Sequence, residues 1–237
     1  MKVATIAFAA CLLLLGSVAS ATTYSFITDY YGFSWETGAN GGPPQAPLAA
    51  GNIWQMVGVV DGVNAPLTAD LVNNEMTFAV LNQVQNGPSA PLSSGIDARR
   101  GPWVEYQILY QDGATMNLYL DSSKNHDWGI NPPNATVPST FIDGTPYLTS
   151  STRNMTVLLT EYTNSGDEIG SFETDLTFTG GSAFSQLGGV NTGYSFAGIS
   201  RRPEASVPTG FKERVDGQQF TSPVAPTTWG GIKQLYR

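Results

Sequence analysis

The chain has 237 residues, 13% of them charged and 41% hydrophobic, with 26 Gly and 15 Pro. That length suits one domain or two small ones, and the low charge with moderate apolar content excludes a disordered chain. The net charge of -8 argues against nucleic acid and anionic membrane as partners, because an acidic surface repels phosphate.

The N-terminus reads as an export signal. Lys2 precedes an apolar run from Val3 to Gly16, and Ser17-Val-Ala-Ser-Ala21 ends it on small residues. One positive residue, a short apolar stretch and an Ala-x-Ala ending form a secretory leader, with cleavage expected after Ala21. The run is too short to span about 30 Å of hydrocarbon comfortably, and no other segment could. Cleavage would remove Cys11, the only cysteine, leaving no disulfide, thiolate nucleophile or Cys metal site. Secreted domains without disulfides lean towards bacterial export. Asn134-Ala-Thr136 and Asn154-Met-Thr156 match the glycosylation sequon.

Beyond the leader, a period of two marks strand after strand. Tyr24, Phe26, Thr28 and Tyr30 alternate with Ser25, Ile27 and Asp29, and Met76, Phe78 and Val80 with Thr77 and Ala79. The same holds for Val104–Tyr110, Met116–Leu120 and Phe172–Phe178. Half-buried strands read this way, and the Tyr, Phe, Thr and Val content supports them. Segments 53–60, 155–162 and 194–199 are β-rich without clean alternation. Turn signals punctuate the runs at Asp61-Gly62, Asn86-Gly-Pro88, Gly101-Pro102, Asp112-Gly113, Asp143-Gly144, Ser165-Gly166 and Gly180-Gly181. Two Asp-Gly pairs predict hairpins with type I′ turns, one over Tyr106–Leu120 and one over Arg214–Phe220. Short helical turns are expected near Pro66–Leu71 and Ser182–Leu187. About ten short strands with Gly and Pro between them predict an all-β protein, an antiparallel β-sandwich or jelly roll over 22–220. Residues 38–51 and 131–139 read as Pro-rich loops. A Pro/Thr linker begins at Thr221, and the tail Trp229-Gly-Gly-Ile-Lys-Gln-Leu-Tyr-Arg237 has helix-like spacing but is too short to fold alone.

Few residues offer chemistry. His126 is the only histidine, so a Ser-His-Asp triad must use it; Asp127 adjoins it, but no Gly-x-Ser-x-Gly elbow precedes a helix. One histidine also falls short of a catalytic zinc site. Paired carboxylates are the remaining enzymatic route: Glu173 and Asp175 share a strand face, and Glu105 faces Asn117 and Tyr119 if the hairpin forms. The tight Glu-x-Asp-x-x-Glu strand of laminarinase-type hydrolases is not matched. Calcium is the one cofactor with candidate ligands, since Asp121, Asn125 and Asp127 alternate in a loop closed by Gly129. Asp and Asn in such a loop equally favour Asx turns. Trp103, Glu105 and Tyr119 could form an aromatic platform for sugar. The pairs Arg99-Arg100 and Arg201-Arg202 read as solvated loop ends.

The motifs Phe141-Ile-Asp-Gly-Thr145, Gly170-Ser-Phe172, Leu176-Thr-Phe-Thr-Gly-Gly181 and Val215-Asp-Gly-Gln218 follow one another in an order that resembles exported β-sandwich ectodomains of the PEP-CTERM class. The similarity covers roughly 103–220. It implies association with a Gram-negative envelope and its exopolysaccharide, and it carries over no catalytic residue. The Pro-Glu-Pro sorting motif of that class is not in the sequence; the C-terminal tail is similar instead to short Trp-Gly-x-x-Lys endings of some bacterial exported proteins. The expected function is thus a non-enzymatic secreted or cell-surface module, structural, matrix-associated or adhesive, that contacts extracellular polysaccharide. The alternative is a polysaccharide-active hydrolase or lyase using paired carboxylates.

Overall fold

The computed structural model describes residues 26–38, 50–86, 90–129, 139–202 and 207–221. The leader, the 222–237 tail and most of the two Pro-rich loops lie outside them. Ten strands are present: β1 (Phe26–Thr37), β2 (Ile53–Val63), β3 (Glu75–Val84), β4 (Ala90–Asp97), β5 (Gly101–Leu109), β6 (Thr115–Asp121), β7 (Thr145–Tyr162), β8 (Asp167–Gly180), β9 (Tyr194–Arg202) and β10 (Glu213–Thr221). One 3-10 turn, Phe184–Leu187, falls where a helical turn was expected; Pro66–Leu71 forms no helix.

All pairings are antiparallel, and the expected sandwich is not found. A single sheet runs β7-β6-β3-β2-β1-β10-β9-β8, and β8 pairs back onto β7, closing an eight-stranded barrel. Alternation along a strand says which face is buried. It does not say whether that face meets a second sheet or the far wall of its own sheet.

The two predicted Asp-Gly hairpins are also corrected. Residues 213–221 form one unbroken strand, β10, with Asp216 and Gly217 in its middle. β5 and β6 do not fold back on each other: both run antiparallel to β7, β5 along Thr156–Tyr162 and β6 along Thr145–Ser151. Together they make one long strand interrupted around Gly113, and β7 bonds across the interruption (Tyr110 N to Met155 O 3.1 Å, Gly113 N to Thr152 O 2.9 Å). β3 and β4 likewise follow the same partner line, β3 against β6 and β4 against β5. The barrel is therefore an up-and-down meander. Beyond it the β4–β5 hairpin continues as an arm along the Thr156–Tyr162 half of β7, whose other edge stays paired with β8. Asp61-Gly62 too lies inside a strand, β2.

The lumen is filled by side chains. Tyr30 stacks on Phe196 (4.6 Å between centroids, 12°) and meets Phe78 edge-on at 4.7 Å, while Phe172 packs against Phe196 and Trp54. Met56, Met76, Met116, Leu118 and Leu148 complete this core. Space for the rings comes from strand glycines. A Cβ on Gly217 would lie 2.2 Å from Tyr30 Oη and 2.5 Å from Ala197 O. Overpacking of this kind costs about 1–3 kcal/mol or more, and a backbone oxygen cannot step aside. Gly217→Val should therefore lower the unfolding free energy by at least that much, whereas Gly62, with its nearest neighbour 3.7 Å from the Cβ position and no positive φ, has no such packing limit. Equal, small losses at the two positions would argue against the close approach of β10 to Tyr30.

A second apolar layer lies outside the wall. Phe33, Trp35, Val57 and Ala79, on the outer face of β1–β3, are covered by Phe141 and Phe211 from loops, with Trp128 packed against them. Elsewhere the outer face is polar: Thr149, Ser151 and Arg153 on β7, Glu173, Asp175, Thr177 and Thr179 on β8, Arg214, Asp216 and Gln218 on β10. A transmembrane barrel needs the reverse, an apolar outer band around a polar interior. Among the described residues no helix is long and apolar enough to cross a membrane.

Candidate functional site

The arm places Trp103 and Glu105, two of the three residues expected to form a platform, on one face. β4 and β5 place Ser93, Gly95, Trp103 and Glu105 on one face, and β7 adds Thr160 and Tyr162. Trp103 and Tyr162 are direct cross-strand partners, and both rings are half-buried. The indole lies over Gly95, where a Cβ would come within 2.8 Å of it. Arg100 sits 5.2 Å above the Tyr162 ring. Glu105 stands two residues along from Trp103 and accepts a hydrogen bond from Ser93 Oγ at 3.0 Å. The tip is braced: Asp97 Oδ1 accepts from the backbone of Arg99 (2.8 Å) and Arg100 (2.7 Å), which holds its carboxyl below the usual range. Thr163 N donates to Pro102 O at 3.0 Å, tying the two hairpins together.

Tyr119 does not belong to this face. It pairs with Thr77 and Pro146, sixteen positions along β7 from Tyr162. At about 3.3 Å per residue that is a path of roughly 50 Å along the strand. Its ring joins the outer apolar layer, and its hydroxyl accepts from Asn117 Nδ2 at 3.3 Å. Placing Tyr119 opposite Trp103 required the hairpin that β7 replaces. Tyr162 was discoverable: it ends a β-rich run just before Ser165-Gly166, as Trp103 begins one just after Gly101-Pro102.

The proposed calcium ligands are engaged in hydrogen bonds, two of them within their own loop. Asp121 Oδ1 accepts from Ser123 N (2.9 Å), Asp127 Oδ1 accepts from Gly129 N (2.7 Å), and Asn125 Nδ2 donates to Asp143 Oδ2 (3.1 Å). Among the described residues no group of three or more His, Cys, Asp or Glu is arranged to hold a metal ion. His126 pairs not with Asp127 but with Glu75, Nδ1 to Oε2 at 2.5 Å, while Glu75 Oε1 accepts from the backbone of Asn125 and His126. Among the described residues no hydroxyl bonds to this histidine. Its visible role is to pin the 125–128 loop under Trp128. On β8, burial and then Asp175 push the Glu173 carboxyl up, and Asp175 accepts from Asn154, the sequon asparagine, at 2.8 Å.

A charged cluster that periodicity did not reveal sits where the barrel meets the arm. Lys212 Nζ lies 3.3 Å from Glu168, 3.4 Å from Glu36 and 3.5 Å from Glu213, and Arg202 reaches Glu168 at 3.0 Å. Glu168 and Glu213 are almost wholly enclosed and Glu36 is partly so; Ser34 Oγ donates to Glu213 at 3.3 Å. Burial, then Glu213, outweighs Lys212 and Arg202 and raises the Glu168 carboxyl above its ordinary range. The three carboxylates hold Lys212 protonated well above the usual lysine range despite its burial. Glu168 shares the face of Phe172 and Leu176, so strand parity places it inside. This cluster joins β1, β8, β9 and β10, and its charges are spent on one another.

Comparison with known proteins finds no matching family model, no matching curated protein and no matching solved structure.

Proposed function

We propose that the chain is a non-enzymatic exported module that binds extracellular polysaccharide on the outer face of its arm. The single observation carrying this reading is the side-by-side placement of Trp103 and Tyr162, half-exposed, beside Glu105 and Arg100. Aromatic rings receive the apolar faces of sugars, while a carboxylate and a guanidinium supply acceptor and donor groups for hydroxyls. The filled lumen favours an external site over an enclosed one, because small barrels that carry ligands keep interior room. Export rests on the leader sequence, and surface or matrix association on the polysaccharide that such a face would meet.

A glycan array followed by titration calorimetry of the hit tests the proposal. Trp103→Ala should weaken binding at least tenfold, the scale of a lost aromatic anchor. Its melting temperature should stay within a few degrees, since the ring is only half-buried. Tyr119→Ala should leave affinity unchanged. Equal binding by Trp103→Ala and wild type, or turnover of the bound glycan, would overturn the reading.

A further inference from the structure

Among the described residues β4 is the only strand with a neighbour on one side alone; it pairs with β5 and nothing else. A free edge presents unpaired N–H and C=O groups, and proteins usually blunt it with charge, proline or a bulge. β4 has Pro91 and a register irregularity between Pro91 and Ser93, both at its start. From Leu92 to Ile96 the strand is uncharged, and Leu92 and Ile96 are 53% and 82% exposed. Exposed apolar side chains on an open edge are otherwise avoided.

We propose that β4 pairs with β4 of a second copy, antiparallel about a two-fold axis through Ser94. Three observations select a second copy. The strand is nearly self-complementary: with Ser94 opposite Ser94, Ser93 of each copy faces Gly95 of the other, and Leu92, at the register irregularity, comes beside Ile96 of the other copy, an apolar contact twice over. The window is neutral in a chain of net charge -8, so it offers nothing to steer a charged partner and is where two acidic copies repel least. An isologous contact also closes on itself and stops at a dimer. Pairing would continue the arm as a sheet β5-β4-β4-β5, setting both Trp103 faces on the same side, about 15 Å apart across the strands. Two such faces would grip one polysaccharide chain with the gain of bivalency. Dimerisation itself does not depend on the glycan proposal, and a monomeric variant that still binds glycan separates the two.

The test uses residues 22–237 in a Cys11-free background. Sedimentation velocity over rising concentration should show a monomer–dimer equilibrium. Ile96→Lys should weaken it at least tenfold without changing the melting temperature, because the side chain is solvent-exposed. Ser94→Cys should form an interchain disulfide, since directly opposed antiparallel residues have Cα atoms about 4.5–5.5 Å apart, within disulfide range. Thr179→Cys, exposed on the far wall, should not. The proposal is overturned by a chain that stays monomeric, by equal cross-linking at both cysteines, or by a dimer that survives Ile96→Lys. A dimer that survives Ile96→Lys but dissolves on deleting 222–237 would assign the contact to the tail instead.

Discussion

Replacing Lys212 with methionine should lower the melting temperature by on the order of 10 °C at pH 7. The lysine is the shared counter-ion of Glu36, Glu168 and Glu213, all within 3.5 Å and all largely buried. Removing one partner of a buried ion pair typically costs about 3–5 kcal/mol, because the remaining charge has neither water nor partner. In a domain of this size each kcal/mol moves the midpoint by roughly 2–4 °C. The pH dependence has a definite sign. Glu168 titrates above its ordinary value in the folded state, through burial first and Glu213 second. A carboxyl raised in this way favours folding when protonated. Its contribution is therefore gained as pH falls through the folded value towards the unfolded one, and lost as pH rises. Without Lys212 the lowering influence on Glu168 is gone, so the deficit of the variant should be largest at pH 7–8 and shrink towards pH 5. Lys212 itself is raised, so its stabilisation is complete below the unfolded lysine value and fades only in strong alkali. Thermal scans of both proteins at pH 5, 6, 7 and 8 measure this; a deficit that grows on acidification would contradict the cluster as described.

Phe196→Ala should be as damaging, with no pH dependence. The ring is fully buried, stacked on Tyr30 and packed against Phe172 and Phe78. Phe→Ala in a core costs about 3–5 kcal/mol, through lost transfer energy and the cavity left behind. Urea unfolding should show a reduced midpoint with an unchanged slope, because the surface exposed on unfolding is nearly the same. Val190→Ala, at a 56% exposed position, should change stability by no more than about 0.5 kcal/mol. A loss near 1 kcal/mol for Phe196→Ala would mean that the lumen collapses around the gap, and that it is not the rigid ring stack seen between Tyr30, Phe78 and Phe172.

Several features were legible in the chain before any fold was known. Met76, Phe78 and Val80 alternate because one face of β3 fills the barrel, and Phe172, Leu176 and Phe178 do so for β8. The turn at Ser165-Gly166 ends the β7–β8 hairpin, Gly101-Pro102 opens β5 just after the β4–β5 turn, and Trp103 and Glu105 do share a face. The two hairpin failures have one origin. An Asp-Gly pair signals a small, permissive residue, and the same glycine serves a turn or a close approach. At Gly217 the demand is room for Tyr30, and at Gly113 a left-handed φ of 96° within an interrupted strand. Only the neighbours distinguish them.

Composition and period by themselves therefore determined that this is an all-β antiparallel protein, where most of the strands lie, β4 excepted, and which face of most of them is buried. Those properties follow from one residue and its neighbours two positions away. Closure was decided by the tertiary structure, through pairings between residues far apart, such as Phe26 with Phe220 and the full length of β7 with β8. So were the meeting of Trp103 with Tyr162 and the gathering of Glu36, Glu168 and Glu213 around Lys212. Local patterning fixes which way a side chain points, but register between distant strands fixes what it meets, and that register minimises the free energy of the whole barrel at once.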